Sequence, residues 1–219
     1  MATRQLLHDL LASYSAQSGV AVAMEAIGGV DAAKRVQAGE AFDVVVLASD
    51  AIDKLAAAGQ LLATSKVDLV RSGVSVAVPA GAARPDIGSA DALRQAVLAA
   101  PSVGYSTGPS GVALLQLFQR WGIVEALQGR LRQAPAGVPV AALLARGEVA
   151  LGFQQLSELI HAPGIQVIGP LPAELQITTV FSAAIGSHSH QPAAVQALLA
   201  FLGAPASAEA KRRHGMEPA

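Results

Sequence analysis

The residue types that could do chemistry gather in four short loops. Tyr105-Ser106-Thr107-Gly108-Pro109-Ser110-Gly111 sets three aliphatic hydroxyls and two glycines at the mouth of a helix. There, side-chain donors and free backbone N–H groups can converge on oxygen atoms. The same residue types lead ordinary N-caps and turns, so the loop alone fits either role. Ile27-Gly28-Gly29-Val30-Asp31 places paired glycines before a second helix; a tight turn is the simpler account of the pair, and the G-x-G-x-x-G dinucleotide spacing is absent. Ala136-Gly137-Val138-Pro139 precedes a third helix, and Gln154 and Gln155 end an apolar run with two amides. Those amides can orient a ligand through donors and acceptors, or simply finish a strand.

Groups that could move a proton near these loops are Asp31, Asp50 and Tyr105. Asp31 also suits an N-cap, and Ser49-Asp50 opens a helix. No Lys or Arg lies inside the four loops; Lys34, Arg35 and Lys66 are the nearest, and solvated surface charge is their ordinary role. His188-Ser189-His190 has i, i+2 spacing in a Gly/Ser/Pro loop with no carboxylate cluster, which argues against a metal site. His8, His161 and His214 read as surface or packing residues. With no cysteine, a thiolate nucleophile, a disulfide framework and a Cys-based metal site are excluded. Neither a G-x-S-x-G elbow nor a Walker loop is present, and the residues imply no cofactor.

These loops need a scaffold, and the composition supplies one. The 219 residues are 52% hydrophobic and only 14% charged, with a net charge of −1. That is too apolar for disorder, and a pI near 6.5 gives no electrostatic footprint for nucleic acid or an anionic membrane. Apolar stretches such as residues 42–48 and 195–202 fall far short of the roughly 18 residues of a spanning helix, so no membrane insertion is expected. The length suits one large domain or two small ones.

Along the chain, Leu6, Leu7, Leu10, Leu11 and Tyr14 mark an amphipathic first helix, with Thr3 as cap and Gly19 as stop. Residues 20–26 alternate as a strand, a short helix runs from about Asp31 to Gly39, and residues 42–48 predict a parallel strand buried on both faces. A helix follows over 51–58. The same grammar recurs as a strand over 74–78, a helix over 90–99, a strand over 102–105, helices over 112–120 and 138–145, and a strand over 149–153. A strand over 175–181 and helices over 192–202 and about 206–213 have no sheet of their own, so they are expected to return to the first unit. The predicted division is therefore residues 1–73 plus 178–219 as one lobe and 74–177 as the other. Two crossings, near 71–78 and 175–181, would act as a hinge.

Four runs carry a family resemblance. They are Asp31-Ala32-Ala33-Lys34-Arg35-Val36-Gln37-Ala38-Gly39-Glu40-Ala41-Phe42-Asp43-Val44-Val45-Val46-Leu47-Ala48-Ser49-Asp50, Arg71-Ser72-Gly73-Val74-Ser75-Val76-Ala77-Val78-Pro79, Ala145-Arg146-Gly147-Glu148-Val149-Ala150-Leu151-Gly152-Phe153, and the tail ending Gly215-Met216-Glu217-Pro218. Together they resemble the type II periplasmic solute-binding proteins, and within them the molybdate-binding proteins of ABC transporters. The resemblance implies an α/β fold of two doubly wound sheets joined by two crossover strands. It also implies ligand contacts from Gly28, Gly29 and Val30, from Ser106, Thr107, Ser110 and Gly111, from Gly137 and Val138, and from Gln154 and Gln155. Molybdate binders commonly place serine hydroxyls where this chain has Gly28-Gly29-Val30, and a tyrosine about where Gln155 falls. These departures point away from molybdate while leaving backbone N–H groups to hold an anion.

The favoured expectation is a receptor for a small oxyanion or organic acid, delivering it to the membrane component of an ABC transporter. Relatives of this family include an aconitate isomerase. The alternative is thus proton transfer on an aconitate-like tricarboxylate, with Asp31, Asp50 or Tyr105 as the group that moves the proton. A cytoplasmic ligand-sensing module is a third reading. The resemblance implies a periplasmic location, whereas residues 1–9 carry no export leader and taken as the true start would mean the cytoplasm. A leader and a first strand are expected upstream, because losing a central strand would bare the edges of its neighbours.

Overall fold

The first helix, α1 (Arg4–Ser18), buries Leu6, Leu10 and Tyr14 on one face, and Gly19 ends it at φ 72°, a left-handed turn that glycine adopts without strain. A computed structural model describes all 219 residues. After α1 come α2 (Gly29–Gln37), β1 (Val44–Ala48), α3 (Ser49–Ala57), β2 (Val67–Pro79), α4 (Ala90–Ala99), β3 (Val103–Tyr105), α5 (Pro109–Arg120) and β4 (Leu131–Gln133). The chain continues through α6 (Val140–Ala145), β5 (Leu151–Gln155), α7 (Leu156–Leu159), β6 (Ile165–Pro170), β7 (Thr178–Ile185), α8 (Pro192–Gly203), α9 (Ala208–Arg213) and β8 (Glu217–Pro218). Two compact units result, Met1–Ser72 with Thr179–Ala219, and Gly73–Thr178.

In the first unit, side-chain alternation distributes each strand between two apolar layers. Ala183 and Ile185 of β7 pack with Leu6, Leu10, Leu198 and Leu199 of α1 and α8. Ala184, between them, joins Val45 and Leu47 of β1 and Val36, Ile52 and Leu55 of α2 and α3. Ile52 and Leu199 have no exposed surface, and each such side chain contributes about 2 kcal/mol relative to leaving it in water. The same logic governs the second unit. Val74, Val76 and Val78 of β2 face Leu93, Val97, Leu114 and Phe118 of α4 and α5, while Ala77 faces Val140, Leu144 and Leu159 of α6 and α7. Helices thus cover both faces of each sheet, the arrangement expected of an α/β layer fold.

Three expectations are corrected. The strand over 42–48 is shorter, and it pairs antiparallel with β7, Val44 opposite Ile185 and Ala48 opposite Phe181. An apolar run reports burial, whereas direction is set by the route of the connection, and β1's partner arrives from the far end of the chain. Residues 20–26 form no strand: Val22, Met24 and Ala26 are half-buried and Ala21, Ala23 and Glu25 exposed, so the alternation is real, but the segment has no ladder to join. Thr3 stands before α1 in a helical conformation (φ −87°, ψ −2°) instead of an extended one, and its hydroxyl does not cap the helix.

Candidate functional site

The second unit assembles its candidate residues at one edge. β3 pairs in parallel with β4 on one side and β5 on the other, so all three strands end in the same direction. Ligands of open α/β sheets sit beyond such carboxyl ends. β3 runs directly into Ser106, and Gly108 and Pro109 open α5, with Pro109 occupying the first turn, where its missing N–H costs nothing. The Ser106 and Ser110 hydroxyls lie 3.3 Å apart, Ser110 is buried and Thr107 is exposed. The loop closes this tightly only because residue 111 is glycine. A Cβ there would stand 1.9 Å from the carbonyl oxygen of Ser106.

β5 brings the two glutamines to the same edge and gives them different work. Gln154 is buried, and its Oε1 accepts the backbone N–H of Val140 at 2.8 Å, fastening the start of α6 to the end of β5. Its amide also hydrogen-bonds the carboxyl of Glu158, which burial holds above the usual carboxylate range. Gln155 is 5% exposed, and its amide is not among the buried side-chain groups left without a partner, so it can offer both a donor and an acceptor at this edge. Gly137 supplies the turn before α6 at φ 76°, and Val138 packs half-buried beneath it. Close packing also needs Gly152 on β5, where a Cβ would come within 2.6 Å of Leu144. Tyr105 is half-buried against the apolar cluster of α4 and α5.

In the first unit, Gly28 and Gly29 open α2, and Val30 in its first turn is 49% exposed. Asp31 lies in that turn, with its Oδ2 3.4 Å from where a Gly28 Cβ would be, so it occupies the positive end of its own helix. Asp50 is exposed and lies 3.6 Å from Lys54 one turn along α3, an ordinary surface pair. The nearest cations are also engaged. Arg35 bonds Glu25 and Glu40 and lies over the ring of Phe42, and Lys66 meets Asp53 at 2.6 Å. Ser189 donates to Asp43 at 2.6 Å, between the exposed His188 and His190. No group of three or more His, Asp or Glu side chains is arranged to hold a metal ion.

Two features of this edge have no signature in the sequence. The Gln154–Val140 bond joins residues 14 apart and carries no local signal beyond the amide itself. Glu158 is one acidic residue in a helical turn, and only its surroundings distinguish it.

The family described as bacterial extracellular solute-binding protein matches residues 1–217. The chain is 43% identical over 185 residues to an aconitate isomerase from Pseudomonas sp, a match spanning 84% of this chain and 70% of that protein. Among solved structures, the periplasmic molybdate-binding protein of Azotobacter vinelandii superposes with a TM-score of 0.81 at 20% identity, covering 98% of this chain and 95% of that one. The tungstate-binding protein TupA of Desulfovibrio alaskensis G20 gives 0.66 at 17%, covering 98% and 93%. At those identities the two structures speak to the fold alone.

Proposed function

The chain belongs to the bacterial extracellular solute-binding protein family, and on that premise we propose that its solute is a small organic acid carrying several carboxylates, of the aconitate class. The observation that carries this is the edge of the second unit, where Ser106, Ser110, the start of α5 and the Gln155 amide offer donors to oxygen atoms. The choice of a carboxylate over an inorganic oxyanion follows from the 43% identical aconitate isomerase and from Gly28-Gly29-Val30, which offers backbone N–H groups and an exposed apolar side chain in place of hydroxyls. Delivery to the membrane component of an ABC transporter, outside the cytoplasm, is the role this reading assigns. Thermal unfolding with cis-aconitate, trans-aconitate, acetate and molybdate tests it. Stabilisation by the tricarboxylates supports the reading, and stabilisation by molybdate alone would reject it.

The isomerase relative favours a second reading, in which the bound acid is also turned over. A base removes a proton from the carbon beside a carboxylate, and a proton is returned at the other end of the allylic system, so the net change is the position of one C–H bond and the double bond. Nothing is oxidised and no cofactor is consumed. Backbone N–H groups at the loops would steady the carboxylate on which charge accumulates. Tyr105 and Asp31 remain the residues proposed to move the proton; Asp50, exposed beside Lys54, is poorly placed for it. Proton NMR of cis-aconitate incubated with the protein decides this: appearance of the trans isomer supports catalysis, and an unchanged spectrum with the acid bound rules it out.

A further inference from the structure

We infer that Glu158, held by Gln154 in the turn just past the carboxyl end of β5, is the base that takes the proton from the bound acid. The assignment rests on the reading in which that acid is turned over, and it sets Glu158 ahead of Tyr105 and Asp31 for the abstraction. β5 ends at Gln155 and α7 begins at Leu156 with no residue between them, so Glu158 lies three residues beyond the edge that gathers Ser106, Ser110 and Gln155. Leu159, 1% exposed, packs with Val140 and Leu144 and holds α7 against α6. The side chain is oriented as well. Oε1 of Gln154 is taken by the Val140 N–H at 2.8 Å, so the amide turns its NH2 to Glu158 and donates to it. One such donor leaves most of a carboxylate's acceptor positions open.

The neighbouring side chain supplies an independent observation. Ser157 Oγ, in the same turn, is buried without a hydrogen-bond partner. Buried hydroxyls are normally satisfied, and an oxygen of a bound carboxylate would satisfy this one. Burial also raises the Glu158 carboxyl above the ordinary range, with the Gln154 amide pulling the other way. A carboxylate raised in this manner is a stronger base toward carbon acids. The other candidates suit the step less well. Asp31 lies at the positive end of α2, where its charge is already compensated, and Tyr105 offers a phenol O–H, which suits returning a proton better than removing one. In the forward step a C–H bond beside a carboxylate breaks, an O–H bond forms on Glu158, and the electron pair spreads through the allylic system. The O–H bond then breaks as a C–H bond forms at the far allylic carbon, and Glu158 ends as it began.

The test follows isomerisation of cis-aconitate by proton NMR and binds tricarballylate, a saturated tricarboxylate that cannot isomerise, in a calorimeter. Wild type, Glu158→Gln and Glu158→Asp are compared as full chains. Glu158→Gln keeps the size of the side chain and removes the base, so kcat is expected to fall at least roughly a hundredfold. Its tricarballylate affinity should stay within about threefold of wild type, the mark of a group used in the transition state. Glu158→Asp keeps a carboxylate one methylene further back and decides the matter if the glutamine variant does not fold: lowered kcat with affinity kept supports the assignment, and wild-type kcat overturns it. Turnover by Glu158→Gln at the wild-type rate would overturn it and leave the isomerase reading standing. Equal losses of kcat and affinity would make Glu158 structural and overturn it too. If wild type leaves cis-aconitate unchanged, the isomerase reading falls and this assignment falls with it.

Discussion

The backbone N–H of Val140 donates to Oε1 of Gln154 across 2.8 Å, and this one bond sets the first turn of α6 against the carboxyl end of β5. Both residues are buried. Replacing Gln154 with Met keeps the volume and removes the acceptor, leaving an N–H unsatisfied in the interior. Chemical denaturation should show a loss of about 1–3 kcal/mol. Solute affinity should fall as well, because the loop over Gly137 and Val138 loses its anchor.

At the loop before α5, Gly111→Ala is expected to be far more damaging than Gly108→Ala. The first substitution drives a Cβ to 1.9 Å from the Ser106 carbonyl oxygen, whereas the second meets nothing nearer than 3.8 Å. A cost above about 2 kcal/mol for Gly111→Ala, and below about 1 kcal/mol for Gly108→Ala, would be read from melting curves.

Lys211 on α9 is 3% exposed, and burial pushes its ammonium below the ordinary lysine range. A group whose folded value is lowered by burial penalises the fold fully below that value, and the penalty disappears as pH rises to the ordinary value. Lys211→Met should therefore raise stability at pH 7 by roughly 1 kcal/mol, and the gain should shrink as the pH approaches about 10.5.

Asp9 receives a hydrogen bond from His214 at 2.8 Å, and that bond holds its carboxyl below the usual range. The stabilisation is present above the ordinary carboxylate value and is lost as pH falls through the lowered one. Asp9→Asn should thus cost no more than about 0.5 kcal/mol near pH 7, the pair being half exposed on the Asp9 side, and the difference from wild type should narrow as pH falls below the ordinary carboxylate value of 3.8. Urea melts across that pH range would measure it.

The layered α/β architecture was legible because apolar periodicity and glycine stops report burial directly, as at Leu6, Leu10, Tyr14 and Gly19 of α1. Strand direction was not, since the apolar run of β1 reads identically whether β7 returns parallel or antiparallel. β4 and β6 also passed unseen: Leu131-Arg132-Gln133 is too short and polar for a periodic signal, and β6 is half-buried and ends in Gly169-Pro170. At the candidate site, the hydroxyl loop before α5 could be named from residue types. The different duties of Gln154 and Gln155 could not, because adjacent amides look alike until the neighbour that occupies one is known.

Whether the solute is a polycarboxylate, held without a hydroxyl cage of the metal-oxyanion type in the first unit, is decided by titrating one protein preparation separately with cis-aconitate and with molybdate in a calorimeter. Saturable binding of cis-aconitate is expected, with at least roughly tenfold weaker binding of molybdate, a difference of about 1.4 kcal/mol. Tight binding of molybdate with no heat from the tricarboxylate would contradict it.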